Sequence, residues 1–323
     1  QRTKVLLGKL LLEKPDILLL DEPTNYLDVQ HIEWLKRYLL DYENAFVLIS
    51  HDIPFLNSVV NLIYHMENQR LDRYVGDYNK FQEVYEARVA TRNMAMSRQK
   101  KLDKMDIIEL AKEKPKPEFV FQEARTAGKI IFETKDLVIG YDEALSRPLN
   151  LTMERGEKVV LKGANGIGKT TLLKSILGLI PSLGGKVELG DYLEIGYFEQ
   201  EMAPGNTTTC IEEIWKEFPS YTQYQVRSAL AKCGLTTKHI ESQVRVLSGG
   251  EQAKVRLCKL INRPTNVLLL DEPTNHLDVD AKDELKRALK AYKGSILLIC
   301  HEPDFYEGVA TKVIDCSTWA LRG

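Results

Sequence analysis

A glycine-rich stretch, Gly163 to Thr170, has the spacing of a phosphate-binding loop. It reads GANGIGKT, and it follows the apolar run KVVL at 158–161. Glycines in this pattern let backbone N–H groups turn toward phosphate oxygens at a helix N-terminus. We expect Lys169 to reach the terminal phosphates and the Thr170 hydroxyl to bind magnesium. The predicted phosphate-binding residues are Gly163, Ala164, Asn165, Gly166, Ile167, Gly168, Lys169, Thr170 and Thr171.

Acidic and imidazole side chains follow other apolar runs of the chain. Asp271 and Glu272 end the run VLLLDE, and His301 follows SILLIC. If these runs are strands, Asp271 lies at a sheet edge near the loop and would hold magnesium directly or through water. Glu272 could activate an attacking water, and His301 could contact a γ-phosphate. Gln200, after IGYFE, is a further candidate for bridging magnesium and water.

A second candidate anion site is the hexapeptide LSGGEQ, which opens a predicted helix. A serine and two glycines at a helix N-terminus offer hydroxyl and N–H groups to an anion. By itself the pattern also suits an ordinary helix cap. Its position about 80 residues after the phosphate loop and about 20 before the acidic run favours the anion site. Its residues are Leu247, Ser248, Gly249, Gly250, Glu251 and Gln252.

An internal repeat organises the chain. Residues 18–29, LLLDEPTNYLDV, recur as LLLDEPTNHLDV at 268–279, an offset of 250 residues, and LISHD at 48–52 recurs as LICHE. At that offset Gln1 falls on Glu251, directly after LSGG. The sequence therefore predicts one complete copy and only the C-terminal part of another. The expected domains are 1–77, lacking the phosphate loop and the LSGGEQ segment (the signature), a helical linker at 78–128, and a complete copy at 129–323.

The predicted linker carries positive charge. Residues 79–114 contain no glycine or proline and are predicted to be helical until Lys114-Pro115-Lys116-Pro117 ends the helix. A solvated helix face and a phosphate-contacting segment remain alternatives for this run. The candidate RNA contacts are Arg88, Arg92, Arg98, Lys100, Lys101 and Lys104.

The second copy alternates apolar strands with helices, which predicts an α/β domain with a mainly parallel core sheet. The expected strands are 129–138, 157–162, 186–198, 266–271, 295–300 and 312–316. The expected helices are 169–179, 207–217, 222–233, 249–262, 280–292 and 303–310.

Composition excludes several classes of protein. The 323 residues carry 44 Lys+Arg and 46 Asp+Glu, a formal charge of -2, so no overall field requires a nucleic-acid partner. No apolar run reaches the ~18–20 residues of a membrane span. Five cysteines without a Cys-x-x-Cys pair indicate buried reduced thiols and a cytoplasmic location.

Taken together in this order, the motifs resemble the nucleotide-binding domain of ATP-binding-cassette (ABC) proteins over about residues 129–318. Two copies, a basic linker and DEPTNxLD in both copies resemble the ABC-F family of translation-associated ATPases. The resemblance implies ATP and Mg²⁺ as ligands, Tyr141 stacking on adenine, and Gln200 in the Q-loop. It also implies Glu272 as catalytic base, Asp278 as the D-loop aspartate and His301 as the switch histidine. The first-copy equivalents are Asp21, Glu22, Asp28 and His51.

Two departures from the family pattern are visible. The switch tripeptide reads Cys300-His301-Glu302 where Ser-His-Asp is usual, although the histidine is present and we expect the chemistry to survive. The linker is also short for the family, since about 34 helical residues span only about 50 Å. Either this member has a short linker or the tip is missing from this chain.

The resemblance implies a soluble ATPase that binds and releases the ribosome, docking near the tRNA exit site with ribosomal RNA and tRNA as partners. The sequence leaves open whether the role is translation or protection from an antibiotic. The main alternative is the ATP-binding subunit of an ABC transporter with a separate membrane partner. A chromosome-maintenance ATPase and a scaffold that binds ATP without hydrolysing it are further alternatives.

In ABC proteins each ATP lies between the phosphate loop of one domain and the signature of the other. With an incomplete first copy, this chain is expected to bind one Mg-ATP at its second copy. It is not expected to build a composite site within one chain. Head-to-tail pairing of two second copies would supply the missing halves.

Overall fold

The computed structural model describes residues 2–25, 27–67, 70–88, 116–199 and 206–321. The chain divides into two compact units, residues 1–113 and residues 114–323. The division falls inside the stretch that the sequence assigns to the linker. In the described residues, no helix is long and apolar enough to cross a membrane.

The first unit contains a parallel strand pair with helices and an antiparallel hairpin. Its elements are α1 (Arg2–Leu12), β1 (Ile17–Asp21), α2 (Val29–Leu40), β2 (Ala45–Ile49), α3 (Ile53–Val59), β3 (Leu62–Glu67), β4 (Arg70–Val75) and α4, described over residues 78–88. Strands β1 and β2 are parallel, and Asp21 at the end of β1 pairs with Ile49. The remainder of the predicted 79–114 helix, from residue 89 onward, lies outside the described residues.

The second unit is built on a five-stranded parallel sheet. In spatial order its strands are β12 (Lys312–Asp315), β7 (Lys158–Lys162), β11 (Ser295–Ile299), β10 (Val267–Asp271) and β9 (Ile195–Phe198). Every residue of β10 and β11 is buried, because layers cover both faces of the sheet. Asp271 pairs with Ile299, so the residues that follow these two strands emerge at the same edge.

A smaller antiparallel sheet and a helical region cover the parallel sheet. The small sheet has the order β6 (Thr152–Glu154), β5 (Ile130–Val138) and β8 (Gly184–Leu189). One core cluster joins it to the parallel sheet and to α5 (Lys169–Ile176), through residues such as Phe132, Leu172 and Leu297. A second cluster joins the other face to the remaining helices. These are α6 (Cys210–Glu217), α7 (Gln223–Lys232), α8 (Thr237–Glu241), α9 (Gly249–Ile261), α10 (Val279–Ala291) and α11 (Pro303–Tyr306).

The two copies share strand pairing but differ in what covers it. In the second unit, four apolar residues on one face of β10 and β11 are at most 2% exposed: Val267, Leu269, Leu297 and Ile299. Their first-unit equivalents are 55–70% exposed: Ile17, Leu19, Val47 and Ile49. The second-unit face is covered by α5 and the small sheet, which correspond to sequence that the first copy does not contain within this chain.

Residues 116–128, which the sequence assigns to the linker, pack on the second unit. Phe119 is fully buried in its core. The Phe119 N–H donates to Glu284 Oε1 at 2.7 Å, and its carbonyl accepts from Arg287 Nη2 at 3.0 Å. Glu123 forms a parallel bridge with Thr265. The second unit therefore begins before residue 129, because buried aromatic side chains hold this segment against it.

Two predicted elements differ from the structure, and two short elements were not expected. The strand predicted at 186–198 is two strands, β8 and β9, separated by a turn at Gly190 and Tyr192. Gly190 lies against the carbonyl of Ile130, which leaves no room for a side chain. The helix predicted at 303–310 is the single turn α11, and Gly308 follows it with φ +75°. The short elements β6 and α8 were not predicted.

Candidate functional site

The predicted phosphate loop joins β7 to α5 at the carboxyl end of the parallel sheet. Gly163 and Gly168 have φ of +143° and +101°, a region that residues other than glycine rarely adopt. A Cβ at Gly168 would lie 3.0 Å from the Ile139 side chain and 3.4 Å from that of Leu145. The loop is therefore folded as its sequence predicts, and the segment 139–145 packs against its end.

Lys169, the first residue of α5, is only 5% exposed. Its Nζ donates to the carbonyls of Gly163 and Ala164 at 2.8 and 2.9 Å, so the loop closes around the ammonium group. A cation held inside a ring of loop backbone is positioned to meet an incoming phosphate. The contact of Lys169 with the terminal phosphates stays a prediction.

Tyr141 lies on the segment that packs against Gly168. Its side chain is 59% exposed and follows Gly140, which forms a bridge with Ala144. A flat aromatic side chain exposed next to a phosphate loop can stack on a base. Tyr141 is thus exposed and close in the chain to Ile139 and Leu145, which lie near Gly168, and its stacking on adenine stays a prediction.

Asp271, at the end of β10, is completely buried. Neither carboxylate oxygen has a hydrogen-bond partner of ordinary geometry among the described residues. Burial raises the pKa of Asp271 to about 6, against the lowering effects of the Thr170 hydroxyl and the lysines Lys169 and Lys174. A buried carboxylate beside a threonine hydroxyl is the oxygen donor set that magnesium prefers. These residues therefore fit a magnesium ion that is held jointly with phosphate.

Asp271→Asn is expected to stabilise the ligand-free chain by roughly 2–3 kcal/mol at pH 8, because it removes a buried charge. The pKa of about 6 in the folded chain lies above the ordinary value of 3.8. The native protein therefore loses stability as pH rises through this interval, and the variant does not. Chemical denaturation at pH 8 and pH 5 measures the difference, which must shrink at pH 5. An equal difference at both values would contradict this account.

Glu272 and His301 meet at the carboxyl edge of β10 and β11. His301 Nε2 lies 3.3 Å from Glu272 Oε1, and Asn275 Nδ2 donates to Glu272 Oε2 at 2.6 Å. Burial would raise the pKa of Glu272, but the contacts with His301 and Asn275 outweigh it, and the net shift is downward. Glu272 is therefore ionised at neutral pH and can accept a proton. Its backbone has φ +48°, in the left-handed region.

The first unit repeats this arrangement in a more exposed form. His51 Nε2 lies 3.6 Å from Glu22 Oε1, and Glu22 has φ +46°. The side chains are 45% and 20% exposed, against 15% and 12% for His301 and Glu272. Asp21 ends β1 as Asp271 ends β10. Both copies therefore position the acid and the imidazole in the same way.

The signature residues begin α9. Ser248 caps the helix by accepting from the Glu251 N–H at 3.4 Å, and the Ser248 N–H donates to Glu251 Oε2 at 2.8 Å. Farther along α9, Lys254 Nζ lies 2.8 Å from Asp278 Oδ2. Asp278 also caps α10, accepting from the Ala281 N–H. In the first unit Asp28 caps α2 in the same way, accepting from the His31 N–H.

Gly250→Ala is expected to destabilise the second unit by about 1–3 kcal/mol, the cost of overpacking. A Cβ at Gly250 would lie 2.5 Å from the carbonyl oxygen of His276, whose backbone is fixed in the turn before α10. At Gly249 the nearest atoms, at 3.0–3.3 Å, belong to the His276 side chain, which can move. Urea denaturation of both variants is the measurement. Equal destabilisation by Gly249→Ala would contradict the backbone clash as the cause.

Most of the remaining predicted residues fall in segments that the structure does not describe. Gln200 lies outside the described residues, as do Arg92, Arg98, Lys100, Lys101 and Lys104. Arg88 is described, and it donates from Nη1 to the Tyr74 hydroxyl at 3.0 Å within the first unit.

Residues that sequence reasoning missed include Asn275 and Lys254. Asn275 belongs to the repeated DEPTN motif, and Lys254 recurs as Lys4, so the repeat itself was the signal that could have identified them.

The loop, the buried acid and the sheet order define a P-loop ABC ATPase fold, and comparison with known proteins agrees. The family model described as "ABC transporter" matches residues 146–275. A Bacillus subtilis (strain 168) protein, the uncharacterized ABC transporter ATP-binding protein YfmM, is 71% identical over 350 residues, which cover 100% of this chain and 68% of that protein. ABC transporter F family member 2 of Arabidopsis thaliana is 35% identical, over 96% of this chain and 51% of that protein.

The chain therefore belongs to the ABC-F family of ATP-binding-cassette proteins, which confirms the resemblance and the predicted fold class. It spans between about half and two thirds of the length of these relatives. A solved structure described as ribosome-bound archaeal Pelota and ABCE1 has a TM-score of 0.64 at 22% identity, covering 93% of this chain and 50% of that chain. At this identity the likeness shows the fold.

Proposed function

We propose that the second unit binds Mg-ATP and hydrolyses it to ADP and phosphate, as part of an ABC-F protein that acts on the ribosome. The observation that carries the ATPase proposal is the meeting of Glu272 and His301 at 3.3 Å. They lie at the sheet edge where Asp271 and the loop around Lys169 also end. The candidate nucleotide loop, the candidate magnesium ligand and the candidate proton acceptor thus lie at one edge of the sheet.

Binding would begin at the phosphate loop. Lys169 would exchange its contacts with the Gly163 and Ala164 carbonyls for the terminal phosphates, and Tyr141 would stack on adenine. Thr170 and Asp271 would hold magnesium, with Gln200 as a further contact to the ion and to water. When bound, magnesium would neutralise phosphate charge and polarise the bond that is cleaved.

Hydrolysis would depend on Glu272 and His301. Glu272 is ionised because His301 and Asn275 lower its pKa, so it can take a proton from the water that attacks the γ-phosphate. His301 would contact the γ-phosphate and hold Glu272 in place. The signature of a facing ABC domain, with its helix N-terminus, would neutralise the remaining phosphate charge.

Head-to-tail pairing of two second units is proposed as the source of that facing signature when this chain acts alone. Each loop would then meet the Ser248–Gly250 signature of the other copy. The rate per chain should rise with chain concentration and level off once pairing is complete. A rate per chain that is independent of concentration would exclude pairing as a requirement.

The proposed partner is the ribosome, through ribosomal RNA and tRNA, and the proposed location is the cytoplasm. Membership of the ABC-F family and the basic run from Arg88 to Lys104 support this partner. Sucrose-gradient sedimentation of the Glu272→Gln protein with ribosomes and ATP is the test. Its appearance in ribosomal fractions with ATP, and not without it, is expected. Absence from those fractions, with recovery in membrane fractions of a lysate, would favour the transporter subunit that the matched family model describes.

A further inference from the structure

Helix α10 contacts the segment after His301 through a row of lysines. Lys282 Nζ lies 3.0 and 3.1 Å from the two oxygens of Glu302. One turn farther along, Lys286 Nζ donates to the carbonyl of Asp304. At the next turn, the Lys290 ammonium group lies beside Gly308. Two of these side chains, spaced four residues apart, thus bind residues 302 and 304, and the third lies beside Gly308.

The first copy holds the same segment in a different way. Asp52, the equivalent of Glu302, caps α3 by accepting from the Phe55 N–H at 3.0 Å. The equivalent of Lys282 is Ile32. The backbones agree, with φ and ψ of -87° and 91° at Asp52 and -95° and 103° at Glu302. At this position the backbone is alike, and the side chains and their partners differ.

The change at Glu302 removes a helix cap. Aspartate is a favoured cap and glutamate is not, because its longer side chain does not return to the backbone N–H groups of the first turn. Glu302 makes no cap hydrogen bond, and α11 has four residues where α3 has seven. The second copy therefore needs another contact to fix the residues after His301.

The ion pair supplies that contact from a partly buried position. The side chains of Lys282 and Glu302 are 17% and 39% exposed. Because Lys282 is largely desolvated, loss of its carboxylate partner would leave an ammonium group that water reaches poorly. Helix α10, which carries Lys282, is capped by Asp278, and Asp278 also binds Lys254 of α9. The first turn of α10 thus contacts both α9 and the segment after His301.

We propose that Lys282 and Glu302 are positioning residues that hold His301 against Glu272 during ATP hydrolysis. His301 directly precedes Glu302, and its Nε2 lies 3.3 Å from Glu272 Oε1. The two side chains act as a pair, so replacing either one alone leaves the other without its partner. This inference rests on the proposed ATPase activity of the second unit.

The first copy supplies the test variants, Lys282→Ile, Glu302→Asp and the double variant. Each single variant is expected to lower kcat roughly fivefold to tenfold with KM within about twofold, because the pair acts on the catalytic geometry and not on nucleotide binding. Lys282→Ile leaves Glu302 with neither an ion pair nor a cap, and Glu302→Asp, even if it caps the helix, leaves the poorly hydrated Lys282 ammonium group without its partner. The double variant restores the combination of Ile32 and Asp52. Its kcat is expected within about twofold of the original rate.

Amide hydrogen exchange at residues 300–307 is the second measurement. Exchange should be faster in both single variants and return toward the original rate in the double variant. Glu188→Gln, which breaks the surface ion pair of Lys135 and Glu188, is the matched control and should change neither kcat nor exchange in this segment.

The outcomes separate the inference from the proposed function. If the unaltered protein hydrolyses ATP and single variants keep its rate, the inference is overturned and the function stands. If the losses in the two single variants simply add in the double variant, the pair is not the cause, and the inference is also overturned. If the unaltered protein shows no hydrolysis, the proposed function fails, and the exchange pattern alone shows whether the pair holds the segment.

Discussion

The Glu272→Gln variant is expected to bind Mg-ATP as the unaltered chain does and to lose hydrolysis by at least about 100-fold, the scale of general-base catalysis. Glutamine keeps the shape of the side chain, so contacts with Asn275 and His301 can persist. It cannot accept the proton of the attacking water. The affinity for a fluorescent ATP analogue and the rate of phosphate release are the two measurements. In a protein with two complete cassettes, the variant should remain in the closed state with ATP.

A matched control for this variant is Glu241→Gln. Glu241 pairs with Arg227 at 2.9 Å on the helical surface, so the substitution removes the same charge elsewhere. It should leave both measurements unchanged. Undiminished phosphate release by Glu272→Gln would remove Glu272 from the mechanism, and a loss of nucleotide affinity would indicate a binding role instead.

The Lys169→Ala variant is expected to weaken ATP binding by at least about 100-fold, because a nearly buried charge-assisted contact to phosphate is lost. Lys169 is 5% exposed, and its ammonium group lies within the loop against the Gly163 carbonyl. Titration with the fluorescent analogue, with and without magnesium, measures the effect.

Lys162→Ala is the control for Lys169. Lys162 precedes the loop, is 47% exposed and pairs with Asp315 at 3.3 Å. It should bind ATP normally. Because Lys169 also binds two loop carbonyls, both variants should be checked by thermal denaturation. Normal affinity in a folded Lys169→Ala protein would refute the phosphate-binding role.

The sheet edge that carries Glu272 and His301 could be predicted because buried parallel strands have a clear sequence signal. The runs at 266–271 and 295–300 were expected as strands and form β10 and β11, buried throughout. Chain direction in a parallel sheet then brings the residues that follow them to one edge. That Glu272 and His301 lie together follows from this rule, whereas the contact of Glu272 with Asn275 depends on the turn at Glu272, with φ +48°.

Other features depend on contacts between distant residues and have no local signal. The segment 116–128 reads as linker after two prolines, yet Phe119 is buried because Glu284 and Arg287 bind its backbone from 165 and 168 residues away. The turn at Gly190 exists because the Ile130 carbonyl approaches it. Glu302 was recognised as a departure, but its partner Lys282 became visible only in three dimensions.

At Glu272 the left-handed backbone lowers the stability of the fold, while the side chain is the proposed base for ATP turnover. For a residue other than glycine, this conformation costs a free energy on the order of 1 kcal/mol or more. Both copies carry a glutamate there, with φ of +48° and +46°. Laboratory evolution for heat resistance alone would therefore favour glycine at this position and discard the residue that we propose as the catalytic base. A more heat-resistant form of this protein must be selected for heat resistance and for ATP turnover in the same screen.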